Sequence, residues 1–223
     1  TSGLLRLREK DILTDENRFV IYLLKLWLKK NRPIDQVREE LTEVNPIANR
    51  YIEIGLEFQD AGQFEKAIEN FREALSVAPE HVQAQVNIAL VYMFQKAYEK
   101  AILEFEKALA MDDEEVSARA GLCEAHLALG DTAMAKGRTK DAIASYQIIL
   151  AINLEHTEAR QRMAEILRQK AEKALVDGRD EEGLASFSEA LKFTPEDETL
   201  AKRYEQAKVE KRTKVIISLL AKA

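Results

Sequence analysis

Apolar and small residues recur at helical spacing through most of the chain, in blocks that repeat one another. The block FEKAIENFREAL at residues 64–75 returns as YEKAILEFEKAL at residues 98–109. The shift between the two blocks is 34, and it carries Ala67, Phe71 and Ala74 onto Ala101, Phe105 and Ala108. Periods of about 20 to 50 residues indicate stacked units that bury their apolar faces only against neighbouring units.

Two weaker copies follow, TKDAIASYQIIL at residues 139–150 and DEEGLASFSEAL at residues 180–191. Each of them comes after a longer shift, which is 41 in both cases. A second helical pattern precedes each copy, and a short break such as Ala61-Gly62-Gln63 separates the two patterns. This alternation predicts units of two antiparallel helices. We therefore expect an all-α protein with four units, at residues 47–80, 81–115, 116–156 and 157–195.

The repeated residues resemble the tetratricopeptide repeat family over residues 48–195. The first copy carries the family pattern at Tyr51, Ile54, Gly55, Phe58, Gly62, Phe64, Ala67, Phe71, Ala74 and Pro79. The later copies depart from it, for example with Gly183 in place of the usual alanine and Leu154 in place of the proline. The resemblance implies a right-handed superhelical solenoid of helix pairs with a concave groove, in proteins that bind other proteins and do no chemistry.

The longer shift between the later copies predicts first helices in units three and four that are longer by seven residues. Seven residues are nearly two helical turns and leave only about 20° of angular drift, so the next helix can still pack on the correct side. We expect these two helices to protrude by roughly 10 Å beyond the ordinary repeat edge.

Six apolar residues fall on or near the concave side of the first helices of units one and two. They are Ile52, Leu56, Val86, Leu90, Met93 and Phe94. In chaperone-binding relatives of this family, lysine and asparagine on this side clamp a carboxylate, whereas here only Asn87 matches that set. An apolar stripe instead favours a hydrophobic helix or an extended peptide as the partner. In the alternative interpretation, residues 19–28 or 215–220 of the chain itself fill the groove.

Charge narrows the class of partner. Residues 47–115 hold 6 Lys or Arg against 14 Asp or Glu, a net of −8, and residues 157–223 hold 14 against 13, a net of +1. Phosphate binding needs clustered positive charge, so the acidic surface of residues 47–115 disfavours nucleic acid as a partner. It favours a basic amphipathic helix of a partner protein.

No constellation of residues for catalysis is apparent. The chain has three histidines, His81, His126 and His156, and one cysteine, Cys123, so neither an internal disulfide nor the usual zinc spacings are available. We therefore expect no enzymatic activity, no metal and no cofactor. The single cysteine, the lack of a signal-peptide pattern and apolar runs too short to span a bilayer favour the cytoplasm, with no membrane partner.

The two ends suggest additional roles. Residues 1–46 are predicted to form a short β-hairpin followed by a helical cap, and residues 2–28 resemble the end of a winged-helix domain of signal-transducing ATPases. The alternative function is therefore a regulatory sensor portion of a larger ATPase, and DNA binding is a third hypothesis.

Residues 196–223 are predicted to form a capping helix, whose apolar run VIISLLA needs cover from the solenoid, from further sequence or from a second chain in a homo-oligomer.

Overall fold

The computed structural model describes residues 46–221, and all regular structure within that range is α-helical. The helices of this range are α1 (Pro46–Asp60), α2 (Phe64–Val77), α3 (Val82–Phe94), α4 (Tyr98–Met111), α5 (Val116–Ala135), α6 (Thr139–Ile152), α7 (Thr157–Val176), α8 (Asp180–Phe193) and α9 (Glu198–Leu220). The predicted all-α class of repeated helix pairs is confirmed. The predicted N-terminal hairpin, helical cap and winged-helix segment lie outside the described residues.

The chain divides into two compact units, Thr1–Ala84 and Gln85–Ala223. They are called the first and second unit below, whereas the four sequence repeats are called units one to four. In the described part of the first unit, α1 and α2 pack through a glycine and an aromatic ring. A Cβ atom at Gly55 would lie 2.5 Å from Cε1 of Phe71, a separation that real Cβ atoms do not reach. Glycine at this position therefore lets the buried ring of Phe71 lie directly against the backbone of α1.

The second unit continues the same packing from α4 to α9. One core cluster contains Cys123, Ala133, Ala142, Tyr146, Ile149, Ala159, Met163 and Ile166, and joins α5, α6 and α7. The next cluster contains Ala164, Ala171, Phe187, Ala190, Leu200 and Ala207, and joins α7, α8 and α9. Because α7 contributes to both clusters, each helix pair of this unit buries its apolar face against the following pair.

The turn between the two helices of each pair contains one residue with a left-handed backbone. These residues are Gly62, Lys96, Gly137 and Gly178, with φ between 56° and 77°. Glycine adopts this conformation at no steric cost, whereas a lysine there is strained. Successive residues of this set are 34, 41 and 41 positions apart, the same separations as those of the repeated core residues. The turn therefore follows the same periodicity as the core.

Side chains that accept a backbone hydrogen bond precede the first helices α3, α5, α7 and α9. The four capping residues are His81, Glu115, His156 and Asp197, which again follow the spacing of the repeats. Each accepts a bond from a backbone N–H in the first turn, a group that has no partner within the helix. At His81, Nδ1 accepts from the Ala84 N–H, which leaves Nε2 to carry the proton that it donates to Asn49 Oδ1 at 3.3 Å.

The first helices differ in length. Helix α3 has 13 residues and α1 has 15, whereas α5 and α7 each have 20. The added residues lie within α5 and α7 and not in the turns, because Gly137 and Gly178 each lie two residues before the second helix, as Gly62 does. Helix α9 is longer still, at 23 residues, and its last turns extend into solvent.

Candidate partner-binding site

On α1, the two predicted contact residues lie one turn apart. Leu56 is 38% exposed. Ile52 is half-buried and packs against the small core cluster of Ala48, Ala74 and Ala84. Leu56 therefore offers exposed apolar surface on α1, whereas Ile52 contributes partly to the core.

On α3, the predicted residues separate into two groups. Leu90 and Met93 are half-buried and Phe94 is exposed, so these three side chains offer apolar surface near the C-terminal end of the helix. Val86 is fully buried, which differs from its predicted place on the partner-binding face. The physical reason is that α3 is buried on all sides over residues 84–89, so a helical-wheel argument based on one open face does not hold there.

The equivalent positions in units three and four carry carboxylates. Leu56, Leu90, Asp131 and Glu172 occupy the same place in their four pairs, each at an equal separation in sequence from the buried aromatic residue of its own pair. In the second compact unit, Asp131 of α5 accepts two hydrogen bonds from Arg162 of α7, at 2.8 Å from Nε and 3.1 Å from Nη2. Glu172 of α7 accepts two from Arg203 of α9, both at 2.8 Å.

Asp131 also accepts a hydrogen bond from the buried Tyr146 hydroxyl at 2.7 Å. The bonds from Arg162 lower the pKa of the Asp131 carboxyl below its ordinary value. Burial and the bond to Asp131 together raise the pKa of Tyr146. The Asp131 carboxylate thus accepts hydrogen bonds from both the Tyr146 hydroxyl and the Arg162 guanidinium, and it links α5 to α6 and to α7.

Sequence reasoning missed these bidentate ion pairs, although a signal for them is present. The shift that relates unit three to unit four carries Asp131 onto Glu172 and Arg162 onto Arg203, so both partners recur with the long repeats. In the structure Arg203 also lies over the ring of Phe187, 5.6 Å from its centroid. The apolar positions represented by Leu56 and Leu90 are therefore replaced in the later repeats by an internal ionic contact.

A cysteine and a histidine, residue types that often serve in catalysis, lie buried in the second unit. Cys123 is a free, buried thiol, and burial raises its pKa. His126 is buried on the same helix, burial lowers its pKa, and its Nδ1 has no hydrogen-bond partner among the described residues. Both side chains therefore act as core residues, with the imidazole held neutral.

We expect the folded protein to lose stability as the pH falls below 6.5 because of His126. The unfolded chain binds a proton at this residue near the ordinary value of 6.5, whereas the folded chain does so only at lower pH. Above pH 6.5 His126 is neutral in both the folded and the unfolded chain and does not change the free energy of unfolding. This free energy declines as the pH falls from 6.5 through the lower pKa that His126 has in the folded chain.

This expectation is checked by urea unfolding of the parent and of His126→Gln over this pH range. His81, whose pKa burial also lowers, is present in both chains, so the difference between the two profiles reports on His126. Parallel profiles for parent and variant would contradict the assignment.

Within residues 46–221, no three side chains of His, Cys, Asp or Glu come together in a way that could hold a metal ion. In the same range, none of the helices combines the length and the apolar character needed to cross a bilayer.

A family model described as tetratricopeptide repeat matches residues 52–116 and 127–198, which is more than half of the chain. The winged-helix resemblance lies outside both matched ranges. No curated protein matches the chain significantly.

Solved structures of tetratricopeptide repeat proteins resemble the fold. A TPR repeats protein from Bacteroides fragilis NCTC 9343 is 13% identical, with 77% of this chain and 86% of that chain covered and a TM-score of 0.54. A thermophilic TPR protein of Thermus thermophilus is 20% identical, with 73% and 99% covered and a TM-score of 0.37. YrrB, a TPR protein with an unusual peptide-binding site, is 20% identical, with 78% and 83% covered and a TM-score of 0.39.

Proposed function

Because the chain belongs to the tetratricopeptide repeat family, we propose that it is a scaffold that binds an apolar helix or an extended peptide of a partner protein. Tetratricopeptide repeats are generally non-enzymatic interaction modules. The proposed contact residues are Ile52 and Leu56 on α1, and Leu90, Met93 and Phe94 on α3. Self-association through the C-terminal apolar run, also expected from the sequence, concerns a different helix, α9.

One observation carries the proposal. At the position where units three and four place Asp131 and Glu172 in bidentate ion pairs, units one and two place partly exposed leucines. A carboxylate that is already bound to an arginine is stabilised little by a further partner. Covering a surface leucine with another apolar group, in contrast, lowers the free energy of the complex. The first helix of unit one and the first helix of unit two are therefore each favoured as a binding surface.

The charges around Leu56 indicate the chemistry of the partner. Glu53, Glu57 and Asp60 form an exposed acidic row on α1 beside the apolar residues, and Arg50 forms an ion pair with Glu53 at 2.9 Å. A partner helix with one apolar face and lysine or arginine along its edge would match both rows. The charges would speed the encounter, and the apolar contact would supply most of the affinity.

We expect Leu56→Asp and Leu90→Asp each to weaken binding of a basic amphipathic peptide by about tenfold or more, and the double variant to abolish it. The probe is a synthetic helical peptide with leucines on one face and lysines on the other, followed by fluorescence anisotropy. The reason is that a buried aspartate at an apolar contact cannot be satisfied by the partner.

The chain offers a matched control for this test. Leu103 is 52% exposed on α4, a second helix, so Leu103→Asp makes the same substitution on a face that the proposal leaves free. Circular dichroism shows whether each variant keeps its helical content. Undiminished binding in the double variant, or equal loss in Leu103→Asp, would remove the site from these helices.

A further inference from the structure

Helix α9 has one face that packs on its own chain. This inner face consists of Leu200, Tyr204, Ala207, Lys211 and Lys214. The first three residues pack in the cluster formed with α7 and α8, and the two lysines continue the same face by ion pairs with Glu181 and Asp180 of α8. Lys214 Nζ lies 2.7 Å from Asp180 Oδ1. The ion pairs continue the contact of α9 with its own chain as far as Lys214, beyond the end of the apolar packing.

The opposite side of α9 carries an apolar seam made of Val209, Thr213, Ile216 and Leu220. At 100° per residue, these positions lie about 180° away from the inner face. Val209, Ile216 and Leu220 are 57%, 57% and 72% exposed. The Thr213 hydroxyl donates to the Val209 carbonyl at 3.0 Å, so the threonine adds a methyl group to the seam without an unsatisfied polar group.

We propose that this seam joins two copies of the chain as an antiparallel helix pair. The spacings of four, three and four residues are those of alternating a and d positions in a coiled coil. With the twofold axis between positions 213 and 216, Val209 meets Leu220 of the second copy, and Thr213 meets Ile216. The seam is symmetric about this midpoint, so the same two contacts form twice, as a twofold interface between identical chains requires.

The flanking residues fit the same arrangement. In an antiparallel pair, residues at matching flank positions lie beside each other, which puts Glu210 near Ile217 of the second copy and Arg212 near Leu219. No like charges meet, and Glu210 already has Arg203 of its own chain at 3.6 Å. Ile217 and Leu219, which are exposed on α9, would gain cover at the edges of the pair.

Charge favours a second copy over a lipid surface or an acidic protein. The lysines of this helix half are already paired within the chain, Lys208 with Glu205, Lys211 with Glu181 and Lys214 with Asp180. An anionic surface would have to compete with these contacts. The seam itself is apolar and self-complementary, and this proposal does not depend on partner binding at α1 and α3.

Sedimentation velocity of the whole chain over about two decades of concentration tests the proposal. The mass should rise from the monomer value of 25.4 kDa to twice that value. Ile216→Glu and Leu220→Glu should each raise the dissociation constant about a hundredfold or more, while Val176→Glu, at an exposed valine of α7, should leave it unchanged. Circular dichroism checks that each variant remains folded.

Cross-linking tests the orientation. A chain with both Val209→Cys and Leu220→Cys should form covalent dimers on mild oxidation. Neither substitution alone should do so, because equivalent positions of the two copies would lie about 16 Å apart along the pair. The buried Cys123 is present in every variant and serves as the background.

Three outcomes would overturn the proposal. The first is a chain that stays monomeric throughout, whether or not it binds vesicles of anionic lipid. The second is a dimer that survives the glutamate variants. The third is efficient cross-linking by a single cysteine substitution, which would exclude the antiparallel arrangement.

Discussion

Phe105→Ala is expected to lower the free energy of unfolding of the second unit by about 3 to 5 kcal/mol. Phe105 of α4 is fully buried, and its ring lies against the first helix of the next pair, where a Cβ at Gly121 of α5 would overlap Cζ of the Phe105 ring. Truncation leaves a cavity between two helices of successive pairs. Because such repeats are stabilised mainly by contacts with their neighbours, the loss should affect the cooperativity of unfolding as well as its midpoint.

Urea unfolding followed by circular dichroism measures this loss. The matched control is Leu103→Ala on the same helix, two residues earlier and exposed, which should change stability by no more than about 0.5 to 1 kcal/mol. A Phe105→Ala variant as stable as the control would mean that the contact between α4 and α5 contributes little to the fold.

Gly121→Leu is expected to destabilise the same contact from the other side, by about 1 to 3 kcal/mol. The added side chain must occupy the space of the Phe105 ring, and the gain in helix propensity over glycine, about 1 kcal/mol, offsets only part of that cost. The control is Ala120→Leu, at the adjacent exposed position of α5, where a larger side chain meets solvent.

The double variant Phe105→Ala with Gly121→Leu separates a direct contact from independent effects. A leucine at position 121 can fill part of the cavity left at position 105, so the two costs should not add, with a coupling of about 1 to 3 kcal/mol in favour of the double variant. Additive losses would show that the ring and the glycine do not act on each other.

The periodicity of the sequence is sufficient to predict contacts within each helix pair. The spacing between Gly55 and Phe71 recurs between Gly130 and Tyr146, and in both pairs the structure puts the ring against the glycine. The contact of Phe105 with Gly121 spans the same 16 residues in the opposite order, from the aromatic residue of one pair to a glycine of the next. A comparison of repeats with one another does not reveal it, because the corresponding positions after Phe71 and Tyr146 carry Asn87 and Arg162 and not glycine.

The candidate site was predictable to a similar extent. Helical spacing identified Leu56 as a surface residue of α1, but it placed Val86 beside Leu90 although the structure buries Val86 completely. A helical wheel gives the face of a residue and not the number of neighbours around the helix. The bidentate pair of Asp131 and Arg162, 31 residues apart, was missed for the related reason that its partners lie on different helices.

Methyl NMR of the whole chain, titrated with the basic amphipathic peptide, tests partner binding at α1 and α3. We expect the methyl signals of Ile52, Leu56 and Leu90 to shift and to saturate together, while those of Leu103 and Val176 stay in place. Shifts confined to second helices or to α9, or no shifts at peptide concentrations well above those of the protein, would contradict it.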